Sequence, residues 1–562
     1  MASIFVAWAL SNAFVLIASL TATWIEYVSS EVPKPYLDEF FHVPQAQKYC
    51  EGDYSWDPKI TTPPGLYLVS KLFKPLLGCE TRSLRIQNAV ALCAVLPMSY
   101  LILWMLRFRD NPRESSPQRK DTSRIGSSAG HPSAFADIHS AINIALFPPL
   151  FFFSGLYYTD VMSTLTVLFA YTVHLASPRT SFSPVHGVSV VFSSITALFF
   201  RQTNIFWVAV FPAGLAVVNT LKGDKPSGTS NSRDIAGVLR ESWETGTVFD
   251  PPAQDAEIQD VFIFLLSIVV AALSRPLLVL KVAFPYAIIL VIFAGFVAWN
   301  GSVVLGDKSA HTATIHLPQM LYIWPYLAFF SFPLLLGPLL RPIVPLLPKP
   351  VLDLCDKVLN TSTYGLPSLL ASSMFIIWAM LSVHFNTIIH PYTLADNRHY
   401  VFYIFKLLRL YPALKYLAVP VYFVCAWAIV NALATLARAV PTENKDSPKD
   451  KNETDSTVLR TNTEPCRVSF VVIWLAATAL SVITAPLVEP RYFIIPWVIW
   501  RLHVTRNVAP ESSSSVGKWT LNIGMLLETI WLLVINLVVS YVFLYRTFTW
   551  ANEPGNLQRF IW

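Results

Sequence analysis

Residues 36–65 read YLDEFFHVPQAQKYCEGDYSWDPKITTPPG, the first polar loop of a mostly apolar chain, and they follow directly on the apolar run Ile4–Val28. A run of that length crosses a bilayer, whose hydrocarbon core takes about 20 apolar residues. The loop is therefore water-facing and tethered at the membrane surface. Asp38 and Glu39 lie just past the span, where a carboxylate meets both a lipid-held group and a water-side one. Helical winding of Tyr36 to Gln45 puts Asp38, His42 and Gln45 on one face at i, i+4 and i+7, with Leu37, Phe40 and Phe41 on the other. Pro44 is expected to limit that helix to about two turns, because proline cannot donate to the preceding turn and clashes with it.

The composition agrees with a membrane chain. Hydrophobic residues make up 54% and charged residues only 14% of the 562 residues, against about 25% charged in globular domains. The fold class expected is an all-α polytopic membrane protein with 12–14 spans and a large first loop. The net charge of +6 is diffuse, with no basic stripe interleaved with aromatics, which excludes nucleic acid as a partner and leaves membrane lipid. Six cysteines show no CxxC pair and no metal-ligand spacing. Cys50 and Cys79 both fall in the first loop, where a single disulfide would join them.

Along the chain, Ile4–Val28 has no preceding Lys or Arg and no cleavage site, so it reads as a retained first span. Leu84–Leu106 is a second, followed by a basic stretch to Arg124 that favours the cytosol. Residues 1–221 form an N-terminal membrane region that includes the first loop, 29–84. Residues 222–260, rich in Ser, Gly, Asp and Glu, read as a cytosolic disordered linker. Residues 261–562 form a second membrane region, with a loop at 386–411 on the side of the first loop and a charged cytosolic insert at 438–467. Within it Leu317–Leu340 reads as one span and Tyr492–Trp500 as a short one. Glycosylation sequons stand at Asn300, Asn360 and Asn452.

Asp38 or Glu39 suits general-base work if partial burial lifts its proton affinity. Asp396, Asn397, Arg398, His399 and Tyr400 place a planar guanidinium and an imidazole in one loop, suited to phosphate oxygens, and Arg491 in EPRYF is a further candidate. The bland reading of the first cluster is a salt bridge between Asp396 and Arg398; Glu489 could likewise neutralise Arg491. Arg201 lies between apolar runs, where an unpaired charge is costly, and Asp160 is its candidate partner. His42, Gln45 and Asp396 are candidates for sugar hydroxyls, and Trp56 either stacks on a sugar ring or packs against the first-loop helix. The histidines are too scattered for a metal site and no cofactor is expected.

The runs PYLDEFFHVPQAQKYCEG and SWDPKITTPPGLYLVS, with GLYYTD (155–160), RQTNIFWV (201–208), NGSVVLGDKSAH (300–311), DNRHYVFYIFK (396–406), EPRYFIIPW (489–497) and LQRFIW at 557–562, resemble the alpha-1,2-glucosyltransferase family of the endoplasmic reticulum. The resemblance implies a C-type glycosyltransferase (GT-C) fold with the first loop in the lumen and packed on the bundle. It implies dolichyl phosphate glucose as donor, the dolichol-diphosphate oligosaccharide carrying two glucoses as acceptor, and inversion at the transferred sugar. It also implies catalysis by Asp38 or Glu39, with Arg398, His399 and Arg491 at the donor phosphate. A transporter, or a non-catalytic membrane partner protein, are the readings from other classes; a transporter would ordinarily show repeated halves, and none is visible.

Overall fold

The computed structural model describes residues 2–110, 131–177, 183–222, 234–254, 256–308, 314–359, 364–434, 466–485, 487–504 and 523–562. It is helical apart from one hairpin. The order is α1 (Ala2–Glu31), α2 (Glu39–Glu51), α3 (Gly65–Leu77), α4 (Thr81–Asp110), α5 (His131–Ala145), α6 (Pro148–Phe153), α7 (Thr159–Leu175), α8 (Pro184–Leu198) and α9 (Phe211–Leu221). Then follow α10 (Ile235–Thr245), α11 (Ile258–Ser274), α12 (Pro276–Asn300), α13 (Gln319–Phe330), α14 (Leu336–Leu340), α15 (Lys349–Leu359), α16 (Leu369–Asn386), α17 (Tyr400–Leu410), α18 (Leu414–Leu417) and α19 (Val419–Ala434). The chain closes with α20 (Val468–Val482), α21 (Ile494–His503), α22 (Ile523–Tyr545) and the antiparallel pair β1 (Phe548–Trp550) and β2 (Glu553–Gln558).

The chain is an all-α polytopic membrane protein. Among the described residues seven helices are long and apolar enough to cross a bilayer, or eight if one bent pair counts as a span; α8, α11 and α20 are apolar but shorter. This is fewer than the 12–14 spans expected. Prolines explain part of the difference: the expected span Leu317–Leu340 is bent by 95° between Phe330 and Phe332, where Pro333 follows at once and Pro338 beyond. The α5–α6 run is likewise broken before Pro148. Helices wrapped by others also need not be apolar all round, and α7 buries Asp160, Ser163, Thr164 and His174.

Large rings fill the core, with Phe147 stacked on Trp497 at 3.8 Å. One charged layer lies inside it: Arg501 donates through Nε and Nη2 to Glu528 at 2.7 and 2.6 Å, and Asn143 Nδ2 donates to Glu528 Oε2 at 2.7 Å. A buried pair in apolar surroundings is tolerable only with such complete bonding, so it fixes α5, α21 and α22 to one another.

Between 222 and 260, the stretch read as a disordered linker, residues 222, 234–254 and 256–260 are described. Asp234 caps α10 by accepting from the amides of Ala236 and Gly237, and Gly246 in the left-handed region ends it. Asp250 then accepts from the amide and hydroxyl of Ser469 and lies 3.2 Å from Lys222. Residues 223–233, the insert from 438 to 465, the basic stretch from 111 to 124, Asn360 and Asn452 lie outside the described residues.

The end of α1 meets the end of α22: the Arg559 guanidinium donates to the carbonyls of Phe543, Leu544 and Glu31. Residues 548–562 therefore sit on the face where α1 ends. A helix of 30 residues is about 45 Å long, so α1 begins at the opposite face.

Candidate active site

Asp38 caps the N-terminus of α2 with helical dihedrals (φ −59°, ψ −23°), and its carbonyl accepts from the His42 amide at 3.0 Å. The helix does not stop at Pro44, as expected, but runs on to Glu51 and ends at left-handed Gly52. The carbonyl that Pro44 leaves unbonded belongs to Phe40, an exposed residue that water can serve. Of the polar face, His42 and Gln45 are buried and Asp38 is partly so; Glu39 beside it is buried, whereas Phe40 and Phe41 are exposed. The loop beyond closes with a Cys50–Cys79 disulfide.

The two neighbouring acids have opposite surroundings. Glu39 is fully buried and its carboxylate is saturated: Oε1 accepts from Arg85 Nε (2.9 Å) and the Tyr157 amide (2.6 Å), Oε2 from Arg85 Nη2 (2.6 Å) and the Tyr36 amide (3.0 Å). Asp38 keeps 41% of its side chain exposed, and its Oδ2 accepts from Arg491 Nη1 at 2.8 Å. Burial of the carboxyl group pushes its pKa up, but Arg491, with His42 and His399, outweighs that and holds Asp38 below the usual carboxylate range.

Arg491 is the hub. Its Nε and Nη2 donate to Glu489 Oε2 at 3.2 and 2.8 Å, and its Nη1 also lies 3.9 Å from Asp160. The guanidinium stands 5.5 and 5.7 Å from the rings of Tyr158 and Phe153. Asp160 is 3.1 Å from Arg201, which donates through Nε to Thr159 at 3.3 Å. Of the five N–H groups of Arg491, three are committed to Glu489 and Asp38, which leaves two for a ligand.

His42 Nδ1 lies 2.6 Å from the hydroxyl of buried Tyr67. Burial lowers the His42 pKa further than Asp38 raises it. Gln45 and Trp56 bond within their own loop. Gln45 donates to the Ser55 carbonyl (2.8 Å) and accepts from the Asp57 amide (3.1 Å), while Trp56 donates to the Ile60 carbonyl (3.2 Å) and packs edge-on against Tyr67.

The second cluster stands beside the first. Asp396 accepts from the amide, Nε and Nη2 of Arg398 at 3.0, 2.9 and 2.7 Å, so the salt bridge is real; burial raises the Asp396 pKa, and these bonds bring it below the usual range. Arg398 Nη1 donates to Gln558 Oε1 at 3.0 Å, and its guanidinium lies 4.6 Å from the Trp550 ring. His399 Nδ1 is 3.0 Å from the Trp562 carbonyl. The tail joins the clusters: Tyr36 Oη donates to the Arg559 carbonyl and accepts from its amide, both at 2.7 Å, while the Ile561 amide donates to the Arg398 carbonyl at 2.9 Å. Burial pushes the Tyr36 pKa up to about 12, so the phenol keeps the proton it donates.

Sequence reasoning missed Arg85, Tyr36, Tyr158, Gln558 and Arg559. Arg85 carried a signal, since it sits one residue inside the apolar run that starts at Leu84, where a charge needs a partner. A cavity of about 380 Å³ lined by Glu26, Ser29, Glu80, Arg82 and Arg85, among others, includes none of the residues that meet at Asp38. Its lining has no aromatic surface for a sugar, and the chemistry is concentrated around Arg491 instead.

Comparison with known proteins adds to this geometry. No solved structure matches the chain. It is 39% identical to the Dol-P-Glc:Glc(2)Man(9)GlcNAc(2)-PP-Dol alpha-1,2-glucosyltransferase of Emericella nidulans, over 97% of this chain and 96% of that one. The Aspergillus fumigatus protein of the same name is also 39% identical, over 98% and 97%. The Homo sapiens one is 31% identical, over 95% and 94%. Residues 32–502, which contain Asp38, Arg398 and Arg491, match the DIE2/ALG10 family as a whole, and the chain belongs to that family.

Proposed function

We propose that this chain is an inverting alpha-1,2-glucosyltransferase of GT-C architecture in the endoplasmic reticulum membrane, with its site in the lumen. It moves glucose from dolichyl phosphate glucose to the 2-hydroxyl of the terminal glucose of dolichol-diphosphate-linked Glc2Man9GlcNAc2. The near full-length likeness to relatives named for that reaction supports the substrates. The observation that carries the mechanism is the ionised, half-open Asp38 on Arg491.

The acceptor hydroxyl attacks C1 of glucose while Asp38 takes its proton. One bond forms between C1 and the acceptor oxygen, and the bond from C1 to the phosphate oxygen breaks. Arg491, Arg398 and His399 hold the charge that gathers on the departing dolichyl phosphate. A beta-linked donor gives an alpha-linked product in this single displacement, so no covalent intermediate is required. Arginine supplies the phosphate charge balance, and no metal or other cofactor enters the scheme.

An aspartate held strongly ionised is a weak base until something loosens it. The donor phosphate does so by competing for Arg491: as the guanidinium turns its charge to the phosphate, Asp38 gains proton affinity when the acceptor is in place. His42, fixed by Tyr67, is placed to bond an acceptor or donor hydroxyl. The test is transfer of labelled glucose from dolichyl phosphate glucose by the purified protein in detergent, to acceptors carrying two, one or no glucoses. Transfer confined to the first supports the reading, and no transfer to any of them sinks it.

A further inference from the structure

Among the described residues Leu37 is the one non-glycine residue with positive φ, at 51°. For a branched side chain the left-handed region is strained, and such strain persists only where the surroundings impose it. Leu37 immediately precedes Asp38. The surroundings that impose it are visible: Glu39 Oε2 accepts a hydrogen bond from the Tyr36 amide, so one carboxylate pins the residue before Leu37 from a position two residues after it. Arg85 holds that carboxylate by two bonds and donates as well to the carbonyls of Val32 (2.7 Å) and Lys34 (3.2 Å). The link from α1 to α2 is thus wrapped around one buried guanidinium.

We propose that Glu39 and Arg85 are a positioning pair for the transfer reaction: they hold Leu37 in the left-handed region and so present Asp38 to Arg491 and the acceptor. The inference rests on the reading of Asp38 as the base. Glu39 itself touches no substrate, since its four bonds are internal. The pair stores the turn's strain in a buried ion pair, which breaks at high cost if one partner is lost.

The experiment compares three purified proteins by kcat and by KM for dolichyl phosphate glucose. Glu39→Gln/Arg85→Gln removes both charges together, so no lone buried charge is left to unfold the chain. Its kcat is expected to fall about five- to thirtyfold, the factor set by releasing a left-handed residue, with donor KM held because Arg491 and Arg398 remain. Adding Leu37→Gly to that variant is expected to restore most of the kcat, because glycine adopts the turn without a latch. A merely structural role predicts the opposite, since glycine adds entropy to the unfolded chain and rescues nothing. Asp38→Asn is the third protein. If Asp38→Asn loses turnover but the double variant keeps it, or if Leu37→Gly fails to restore it, the positioning pair is overturned and the base stands. If Asp38→Asn keeps turnover, the base reading falls, and the role given to the pair falls with it.

Discussion

Arg491 donates a hydrogen bond to Asp38 across 2.8 Å, joining the loop after the first span to a residue 453 positions further along the chain. The bond sets the charge state of the proposed base. It also puts the same guanidinium in reach of the leaving phosphate, so binding and activation share one group.

A pH profile tests the electrostatics. With its pKa held below the usual carboxylate range, Asp38 is ionised at neutral pH and stays so into mild acid. A group depressed in the folded state stabilises the protein above its unfolded pKa, and that stability is lost as pH falls through the folded one. The acid limb of kcat/KM is therefore expected below the ordinary aspartate value. In Arg491→Gln the residual rate should show that limb moved upward, because burial then faces only His42 and His399. An unmoved limb would mean that Arg491 does not tune the base.

The segment 557–562 is expected to act on donor binding. Tyr36→Phe strips the Arg559 amide and carbonyl of their buried partner, which costs about 1–3 kcal/mol where such groups stay unpaired. Arg398 and His399, bonded to the same segment, then lose their placement. Donor KM should rise roughly tenfold, the factor for about 1.4 kcal/mol, with a smaller change in kcat. Unchanged KM would separate this segment from the phosphate site.

Asn300 is predicted to carry no glycan although it lies in a sequon on the face of the first loop. Its amide donates to the carbonyls of Ser302 and Val304, at 2.8 and 2.7 Å, and residues 305–307 are strapped to Pro58 and Thr61 by backbone bonds. Asn300→Gln should leave electrophoretic mobility unchanged, whereas a downward shift would show that the turn opens.

The Arg559 bonds to the ends of α1 and α22 put residue 555 and the first loop on one side. Cysteines introduced singly at Asp53 and Gly555, both exposed, should react with an impermeant thiol reagent only after sealed microsomes are opened. Labelling of one but not the other in sealed vesicles would break the arrangement of the site.

The membrane class and the first-loop helix were legible because they rest on local pattern: run length, and the spacing of Asp38, His42 and Gln45 along about two turns of helix. Asp160 and Arg201 were readable as a pair because an apolar setting demands one. The distinction between Asp38 and Glu39 was not legible, since it depends on Arg85 filling one carboxylate and leaving the other open. Nor was the fate of Gln45 and Trp56, whose polar atoms are used by backbone groups of their own loop. The expected 12–14 spans exceed the seven or eight helices that are long and apolar enough among the described residues, because one run bends at Ser331 and helices such as α7, shielded by neighbours, bury polar side chains. Proximity of Arg491 to Asp38 is tertiary, and no spacing in the sequence encodes it.

The most direct measurement is turnover of purified Asp38→Asn with labelled dolichyl phosphate glucose and a two-glucose acceptor, alongside donor binding. General-base catalysis contributes about 10²–10⁴-fold, so turnover should fall by at least the lower figure while donor binding is kept. Near-normal turnover in Asp38→Asn would contradict the account.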